Sequence, residues 1–266
     1  MRYTKMHGAG NSFVLTESLH GELKGENLSV LALTLCKQKR ADGMIVLVPA
    51  EGADFGMLFY NSDGSLGEMC GNGARCVARY GVEHGLAPDP GRVRILATAG
   101  LVTARRISRE QYQIRLNDPS VIDLHRSAEG EDCAYLELGC PGIPHAVVEV
   151  GAEVFDDPDA LRERGRALRH SAAFPKGANV SFACVEGASR VRAITFERGV
   201  EDFTLACGTG SGAIAAALLL RGRVKECPVE IEMPGGTLTV SLTRAGDTVR
   251  DLLLTGPTAV VEFGEF

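Results

Sequence analysis

The feature that most constrains the fold of this 266-residue chain is a short motif that occurs twice. The first copy is Cys70-Gly71-Asn72-Gly73 and the second is Cys207-Gly208-Thr209-Gly210, and an alanine-rich run follows each. Further landmarks recur at nearly the same offset: the two motifs are 137 residues apart, Gly100 and Gly236 are 136 apart, and Pro119 and Pro257 are 138 apart. One long offset, without the short period of a solenoid, predicts a duplicated domain.

Both halves of the duplication have the same predicted order of elements: a strand, a turn, the motif with its helix, a hairpin and a further strand. Strands and helices in this order indicate an α+β fold with mixed sheets. We expect an N-terminal half over residues 1–120, completed by a C-terminal strand at about 258–266, and a C-terminal half over 121–257. Because ligand pockets favour domain boundaries, we expect the functional site at the pseudo-twofold interface.

Hydrophobic periodicity and turn residues predict helices at about 27–38, with Asn27 as the cap, and at 70–83, 158–169 and 207–220. A strand over 3–15 is interrupted by the glycine-containing segment 7–12. The segment 142–145 is predicted to connect strands at 134–138 and 146–150. Further strands are expected at 44–48, 56–60, 93–97, 101–106, 112–116, 180–184, 191–196, 229–233, 238–242, 252–255 and 259–263.

Composition argues against several classes of function. Hydrophobic residues make up 45% of the chain and charged residues 23%, which is typical of a globular protein that buries a core. The net charge is −6 and no block of Lys and Arg stands out, so we expect no nucleic-acid partner. No apolar run approaches the roughly 20 residues of a membrane span, and the first residues do not resemble a signal peptide. We therefore expect no membrane partner and a cytoplasmic location, whereas a homodimer stays open.

The chain has eight cysteines, which we expect to be reduced thiols because a long chain without a dense cysteine framework is seldom built on disulfides. No Cys-x-x-Cys pair occurs, and no cysteine pair lies near a histidine pair, so we expect no metal site. The cysteines outside the start of each motif are predicted to be small buried side chains: Cys36, Cys76, Cys133, Cys140, Cys184 and Cys227.

A cysteine directly before a helix lies next to N–H groups that have no partner within the helix. The partial positive charge there lowers the pKa of a thiol and attracts a carboxylate. Two such helix starts around one carboxylate would place a sulfur on each face of its α-carbon, one as base and the other as acid. This chemistry is that of a racemase or epimerase without a cofactor, and no lysine stands in an obvious Schiff-base context.

Other interpretations of the second motif are weaker. The segment Gly208-x-Gly210-x-x-Ala213 matches the dinucleotide fingerprint in form, yet the βαβα alternation of that fold is missing. No Gly-x-Ser-x-Gly elbow surrounds Ser211, which argues against a serine hydrolase. A single nucleophile pair of Cys207 and His145 stays open, but it leaves Cys70 unexplained.

A set of longer motifs runs over essentially the full length of the chain. They are Met6-His7-Gly8-Ala9-Gly10-Asn11-Ser12-Phe13, Tyr60-Asn61-Ser62-Asp63-Gly64-Ser65, Cys70-Gly71-Asn72-Gly73-Ala74-Arg75-Cys76, Pro144-His145, Ala178-Asn179, Phe196-Glu197-Arg198-Gly199, Ala206-Cys207-Gly208-Thr209-Gly210 and Thr255-Gly256-Pro257. In these motifs the chain resembles the diaminopimelate epimerase family, cofactor-independent epimerases of bacterial lysine and cell-wall synthesis. The resemblance implies two pseudo-symmetric domains, each with a barrel-like mixed sheet around one central helix. It also implies interconversion of LL- and meso-diaminopimelate by two thiols, without metal or pyridoxal.

The resemblance further implies roles for individual residues. It makes Cys70 and Cys207 the acid/base pair, and His145 and Glu197 the groups that polarise them. The other implied site residues bind the substrate. The carboxylate at the reacting centre would lie in a cradle formed by Gly71, Asn72, Gly208 and Thr209. The ligands that fix the substrate would be Asn11, Asn61, Asn179 and Arg198. Arg198 would pair with the distal carboxylate.

Three positions depart from the family pattern. Ser12 stands where the family usually has Asp, Gly43 where many members have Gln, and Ile143 where many have a substrate-binding Asn. Loss of an amide at Ile143 removes one hydrogen bond to the far end of diaminopimelate. A racemase of another amino acid such as histidine, or a non-catalytic amino-acid-binding protein, therefore stays open, whereas Arg198 favours a substrate with a second carboxylate.

Overall fold

The computed structural model describes residues 1–67 and 69–266. The helices are α1 (Leu28–Lys39), α2 (Gly71–Glu83), α3 (Pro158–Arg169) and α4 (Gly208–Leu220), with a short 3₁₀ helix at Ala152–Asp156. The strands are β1 (Arg2–Gly8), β2 (Asn11–Glu17), β3 (Gly43–Val48), β4 (Phe55–Asn61), β5 (Leu66–Gly67), β6 (Val93–Ala97), β7 (Gly100–Arg106), β8 (Gln111–Arg115), β9 (Pro119–Ala128), β10 (Glu131–Leu138), β11 (Ile143–Glu149), β12 (Asn179–Val185), β13 (Arg190–Glu197), β14 (Asp202–Thr204), β15 (Val229–Met233), β16 (Gly236–Ala245), β17 (Thr248–Pro257) and β18 (Ala259–Glu265).

The chain divides into two compact units, of which the first contains Met1–Arg115 and Thr255–Phe266. Its strand β1 pairs antiparallel with both β2 and β18, and β2 pairs parallel with β3. The sheet continues through β4, which is antiparallel to β3 and parallel to β6, and then through the meander β6–β7–β8. This mixed sheet covers α2, in which residues 71–81 are all buried, whereas α1 buries one side against β2, β3 and β4.

The second unit contains Leu116–Leu254 and repeats this plan. Antiparallel pairs join β9 to β10, β10 to β11, β12 to β13 and β15 to β16, while β11–β12 and β13–β15 are parallel. Helix α4 packs against β10, β11, β12 and β16 and is buried almost throughout. A helix without a polar face belongs inside a core, which explains why this Ala- and Leu-rich segment is the central helix.

The predicted fold class is confirmed: each unit is a mixed sheet with one central helix, and each central helix begins directly after a motif cysteine. The two outer helices, α1 and α3, each begin after a residue whose side chain caps the first turn, and the cap of α1 is the predicted Asn27. The Asn27 side chain accepts a hydrogen bond from the Val30 N–H at 3.3 Å, and Asp157 accepts one from the Ala160 N–H at 3.0 Å. Both are N-caps that satisfy a donor of the first helical turn.

The structure corrects several details. The segment 7–12 does not interrupt one strand but joins β1 to β2 in a hairpin whose turn is Ala9-Gly10, and Gly10 has a φ of 82°. The segment 142–145 is not a connection throughout, because Ile143, Pro144 and His145 open β11. Strand β9 was not predicted. It is mostly exposed or half-buried and carries Asp, His and Arg side chains, so it lacks the apolar signal of a core strand.

The prediction of buried cysteines is right for four of the six residues and wrong for two. Cys36, Cys76, Cys133 and Cys184 are buried, whereas Cys140 and Cys227 are exposed. Both exposed cysteines precede a proline in a turn or bend outside the regular elements, where a side chain is not directed into a core. Within residues 1–67 and 69–266, no helix has both the length and the apolar character that a membrane span requires.

Candidate active site

The start of α4 holds Cys207 in a fixed orientation. Cys207 is the N-cap residue, and its carbonyl oxygen accepts hydrogen bonds from the N–H and the hydroxyl of Ser211, both at 2.9 Å. Its sulfur accepts the N–H of Gly210 at 3.4 Å and lies 3.8 Å from the hydroxyl oxygen of Thr209. A Cβ at Gly210 would lie 3.0 Å from that sulfur. The glycine therefore leaves space for the thiol to lie over the first turn.

Glu197 is the acidic partner of this thiol. It ends β13, whose last residues pair with β14 so that Thr195 lies opposite Thr204 and Glu197 opposite Asp202. The Thr204 hydroxyl donates a hydrogen bond to Glu197 Oε1, and the Glu197 side chain also hydrogen-bonds with Cys207. Burial raises the pKa of Glu197, against the effect of these two hydrogen bonds. A carboxylate made more basic in this way is suited to exchange a proton with the sulfur.

The protonation of Cys207 follows from the same surroundings. Burial, and then the negative charge of Glu197, raises the pKa of the Cys207 thiol well above its ordinary value, although the Gly210 N–H and the Thr209 hydroxyl act in the opposite direction. The exposed fraction of Cys207 is 5%. Around neutral pH the protonated thiol is thus the dominant form, which equips Cys207 to act as a proton donor.

His145 occupies β11 with Leu136 opposite it on β10 and Asn179 beside it on β12. It is 0% exposed, and neither ring nitrogen has a hydrogen-bond partner among the residues that the structure describes. Burial, with a smaller contribution from the Arg198 charge, lowers the pKa of His145 to about 3. The ring is therefore neutral at physiological pH, with one nitrogen able to donate and the other able to accept.

Asn179 and Arg198 are connected at the end of β13. The side-chain oxygen of Asn179 accepts the backbone N–H of Arg198 at 2.8 Å, which fixes where the exposed guanidinium leaves the chain. Arg198 Nη1 donates to the carbonyl of Lys176 at 3.1 Å. Lys176 in turn donates from Nζ to the carboxylate of Glu137 at 2.8 Å, so its charge is paired.

Helix α2 in the first unit starts in the same way as α4. Cys70 is its N-cap residue, with extended backbone angles of φ −132° and ψ 115°, and its carbonyl accepts the N–H of Ala74 at 2.8 Å. Cys70 is half-buried, and the residues that follow, Gly71 and Asn72, are buried. The side-chain oxygen of Asn72 accepts a hydrogen bond from Arg75 Nη2 at 2.8 Å.

The two other predicted substrate ligands of this unit lie at strand ends. Asn11 is the first residue of β2, and its side-chain oxygen is buried with no hydrogen-bond partner among residues 1–67 and 69–266. Asn61 is the last residue of β4, and its side-chain amide donates to the hydroxyl of Ser65 at 2.9 Å. The buried oxygen of Asn11 is an acceptor that a bound ammonium or amide group can satisfy.

The structure explains two of the three departures from the family pattern. The N–H and the hydroxyl of Ser12 both donate to one oxygen of Asp42, at 2.7 and 2.9 Å, so Ser12 fixes the turn before β3. A Cβ at Gly43 would lie 2.6 Å from a ring carbon of Phe59 and 2.8 Å from the Tyr60 carbonyl oxygen, which leaves no space for a larger side chain. Nothing in the structure explains Ile143, which is half-buried at the start of β11.

Within the second unit the structure thus brings Cys207 together with Glu197, and Arg198 together with Asn179. Three contributors escaped the sequence analysis: Thr204, Arg75 and Lys176. Thr204 could have been found because it lies three residues before Cys207, and Arg75 because it lies inside the first motif. Among the described residues, no group of three or more His, Cys, Asp or Glu side chains could hold a metal ion.

Fold and site together define a class of protein: a duplicated α+β chain with a thiol at the start of each central helix. Solved structures share this fold. A phenazine biosynthesis protein of the PhzF family from Bacillus anthracis superposes with a TM-score of 0.80 at 14% identity, over 100% of this chain and 98% of its own. A hydroxyproline epimerase from Agrobacterium vitis superposes with a TM-score of 0.68 at 20% identity, over 99% of this chain and 90% of its own.

The family follows from comparisons of sequence. The diaminopimelate epimerase family model matches residues 3–118 and 140–261. The chain is 32% identical to a diaminopimelate epimerase from Carboxydothermus hydrogenoformans, over 100% of this chain and 99% of the relative. It is 37% identical to one from Methanothrix thermoacetophila, over 91% of this chain and 88% of the relative. The chain belongs to the diaminopimelate epimerase family, and it is an isomerase.

Proposed function

We infer that the protein interconverts LL- and meso-diaminopimelate. The relatives that carry this activity in their names match 91% to 100% of the chain, which favours it over the racemisation of another amino acid and over a binding protein without catalysis. The structural observation that carries the inference is the contact of the Cys207 thiol with the Glu197 carboxyl at the start of α4. A thiol hydrogen-bonded to a carboxyl group of raised pKa is an arrangement suited to proton transfer.

We propose that Cys70 and Cys207 act on opposite faces of one α-carbon. In one direction the Cys70 thiolate removes the α-proton, and the electron pair of the broken C–H bond moves into the α-carboxylate, giving an enolate-like dianion. The Cys207 thiol then gives its proton to the same carbon on the other face. The cycle leaves Cys70 as a thiol and Cys207 as a thiolate, which is the form that catalyses the reverse direction.

The two helix starts would stabilise the charge that develops in this reaction. In α4 the N–H groups of Gly208 and Thr209 belong to the first turn and have no acceptor within the helix, and Gly71 and Asn72 hold the same positions in α2. We propose that these groups cradle the α-carboxylate. Donors already aimed at a developing negative charge need no reorientation during the reaction, which is why such groups contribute strongly to catalysis.

We further propose that His145 and Glu197 polarise the two thiols, Glu197 that of Cys207 and His145 that of Cys70. The support from Glu197 is its contact with the sulfur. The support from His145 is its neutral, fully buried ring, which has one donor and one acceptor without a partner among the described residues. A buried imidazole whose donor and acceptor are both unsatisfied destabilises the folded protein unless another group forms hydrogen bonds with it.

The distal end of the substrate is assigned to Arg198, Asn179, Asn11 and Asn61. Arg198 has an exposed guanidinium whose base is fixed by Asn179, as a clamp for a second carboxylate requires. The buried oxygen of Asn11 would accept from an ammonium group. Two working thiols need a reducing compartment, so the cytoplasm is the proposed location, and a homodimer stays a prediction.

The test is a substrate panel with purified protein. LL-diaminopimelate, L-histidine and L-glutamate are incubated separately, and the stereoisomers are quantified by chiral chromatography. We expect meso-diaminopimelate to appear and the two other amino acids to keep their configuration. Racemisation of histidine without epimerisation of diaminopimelate would make the substrate assignment wrong, and no conversion of any compound would favour a binding protein.

A further inference from the structure

Arg75 is the largest fully buried side chain of the described residues, and the mechanism above does not use it. It lies in α2, five residues after Cys70, with 0% exposure. Among residues 1–67 and 69–266, no carboxylate forms an ion pair with it, and its Nε has no hydrogen-bond partner. A buried charge without a counter-charge among the described residues is strongly unfavourable, which points to a compensating function.

The side-chain hydrogen bonds of Arg75 all go to residues of the first turn of α2. Its Nη2 donates to the side-chain oxygen of Asn72 at 2.8 Å, and its Nη1 donates to the Gly71 carbonyl at 3.4 Å. Strand β1 closes over this turn, because a Cβ at Gly8 would lie 2.9 Å from the Asn72 carbonyl oxygen and 3.4 Å from Arg75 Nη2. The guanidinium therefore fixes the two residues that we assign to the carboxylate cradle.

The charge of Arg75 also acts on the motif cysteine. Burial lowers the pKa of Arg75 to about 10, while the negative charges that Cys76 and Cys70 can carry act to raise it. Arg75 thus remains a cation at neutral pH, and by reciprocity it favours the thiolate of Cys70. Cys76 stays a thiol, because burial raises its pKa to about 12.

Among the described residues, the other charged and titratable groups of this unit around α2 form no hydrogen bond with Arg75. Arg79 bonds Glu83 at 2.9 Å and the Thr258 carbonyl at 2.7 Å. From β2, the carboxylate of Glu17 accepts the Tyr80 hydroxyl at 2.7 Å. From β8, Tyr112 faces the charges of Arg106, Glu83 and Arg79, and on β1 the ring of His7 accepts the Gly10 N–H at 3.4 Å.

Helix α4 has no equivalent of this arginine. The matching position is Gly212, where a Cβ would lie 2.7 Å from Leu116 Cδ1, so any larger side chain would have to displace that leucine. The charged neighbour of Cys207 is the acidic Glu197 instead. Among the described residues, the cation Arg75 thus acts on Cys70, whereas the anion Glu197 acts on Cys207.

We propose that Arg75 is a positioning residue that fixes the first turn of α2 and holds Cys70 as the thiolate of the resting enzyme, while Cys207 remains the thiol. The base and acid roles that this inference gives to the two thiols rest on the proposed function. It makes the resting enzyme asymmetric: Cys70 begins as the base and Cys207 as the acid. The isomer whose α-hydrogen faces Cys70 meets an enzyme that is ready to react.

The direct test measures how fast each thiol is alkylated by iodoacetamide as a function of pH in the wild-type protein, with peptide mass spectrometry to separate the sites. We expect the midpoint for Cys70 to lie at least about one pH unit below that for Cys207. A Cys70 midpoint equal to or above that of Cys207 overturns the proposal, and this comparison does not depend on whether any variant folds.

Variants separate charge from packing. Arg75→Met should raise the Cys70 midpoint by about one pH unit or more. Arg75→Lys should keep the midpoint within about half a unit, because the charge stays, yet lower kcat, because lysine lacks the planar fork that bonds Asn72 and Gly71. Arg79→Met is the matched control, a buried arginine on the same helix whose partners lie elsewhere, and it should leave both the midpoint and kcat unchanged.

The readouts distinguish a failure of this inference from a failure of the proposed function. Alkylation midpoints need no substrate, so they report on Arg75 even if diaminopimelate is not converted. An unchanged Cys70 midpoint and kcat in a folded Arg75→Met protein would refute the role of Arg75 while leaving the epimerase assignment intact. Thiols ordered as proposed in a protein that converts no diaminopimelate would refute the epimerase assignment alone.

Discussion

The substitution Glu197→Gln tests the thiol–carboxyl contact because it changes one charge and little else. Glutamine has nearly the same shape, and its side-chain carbonyl can still accept the hydrogen bond that the Thr204 hydroxyl donates. The hairpin of β13 and β14 should therefore keep its structure. What is lost is the negative charge that faces Cys207, and with it the carboxylate that we propose polarises the thiol.

The two losses act in opposite directions, which makes the prediction sharp. Because the Glu197 charge raises the pKa of Cys207, the variant thiol should ionise more easily, with an alkylation midpoint lower by about one pH unit. A positioned group that takes part in acid–base catalysis contributes about 10²- to 10⁴-fold in rate. This factor corresponds to about 3–5 kcal/mol in the activation barrier. We expect kcat for LL-diaminopimelate to fall by this factor although Cys207 has become more acidic.

The assay combines initial rates of meso-diaminopimelate formation with alkylation kinetics of Cys207 on the same preparation. Glu201→Gln is the control: Glu201 lies on the same connection, where it accepts the Gly199 N–H at 2.9 Å and pairs with Arg169, away from the thiol. The control should keep kcat within about twofold. A Glu197→Gln enzyme with near wild-type kcat, or with a raised midpoint, would refute the role given to Glu197.

Further predictions concern the thiols, the buried histidine and the glycine under the sulfur. Cys70→Ser and Cys207→Ser should each lower kcat by at least about 10²-fold, measured by the same conversion, and a fully active single variant would rule out two-thiol catalysis. Burial lowers the pKa of His145 from 6.5 to about 3 in the folded protein. Between these two values the unfolded chain binds one more proton than the folded protein, so stability decreases as the pH is lowered from 6.5 towards 3. In urea titrations at pH 6, 5 and 4, the free energy of unfolding should drop by about 1.4 kcal/mol per pH unit more in the wild type than in His145→Gln; equal slopes would contradict this. Gly210→Ala should displace the sulfur, since the new Cβ would stand 3.0 Å from it and 3.2 Å from Thr195 Oγ1, and lower kcat about tenfold with an unchanged circular dichroism spectrum; unchanged kinetics would show that the thiol tolerates the shift.

Local signals in the sequence were enough to predict the helices and the fold class. Asn27 marked the start of α1, and the duplicated Cys-Gly-x-Gly marked the starts of α2 and α4, because capping and glycine preferences act within a few residues. The pairing of Ile143, Pro144 and His145 into β11 could not be seen. Proline usually argues against a strand, and only the neighbouring strands on both sides show that this one tolerates it near its first residue.

The candidate site shows the same limit. The motif cysteines, Glu197 and His145 could be named from the sequence, largely through a family resemblance. The surroundings that decide their protonation could not: the Thr204 bond to Glu197 depends on the register of β13 with β14, and the burial of Arg75 depends on β1 closing over α2. The spacing of residues along the sequence does not reveal the β13–β14 register or the packing of β1 against α2, because folding brings these segments together.

The central claim is that two thiols exchange one α-proton from opposite faces, and isotope incorporation tests it most directly. LL-diaminopimelate is converted by the enzyme in D₂O and stopped at low conversion, and deuterium at the α-carbons is read by mass spectrometry in the separated isomers. The account predicts deuterium at the inverted carbon of the meso product, delivered by the Cys207 thiol, and almost none in the recovered LL substrate. Product that retains the original hydrogen, or recovered substrate that is equally labelled, would contradict it.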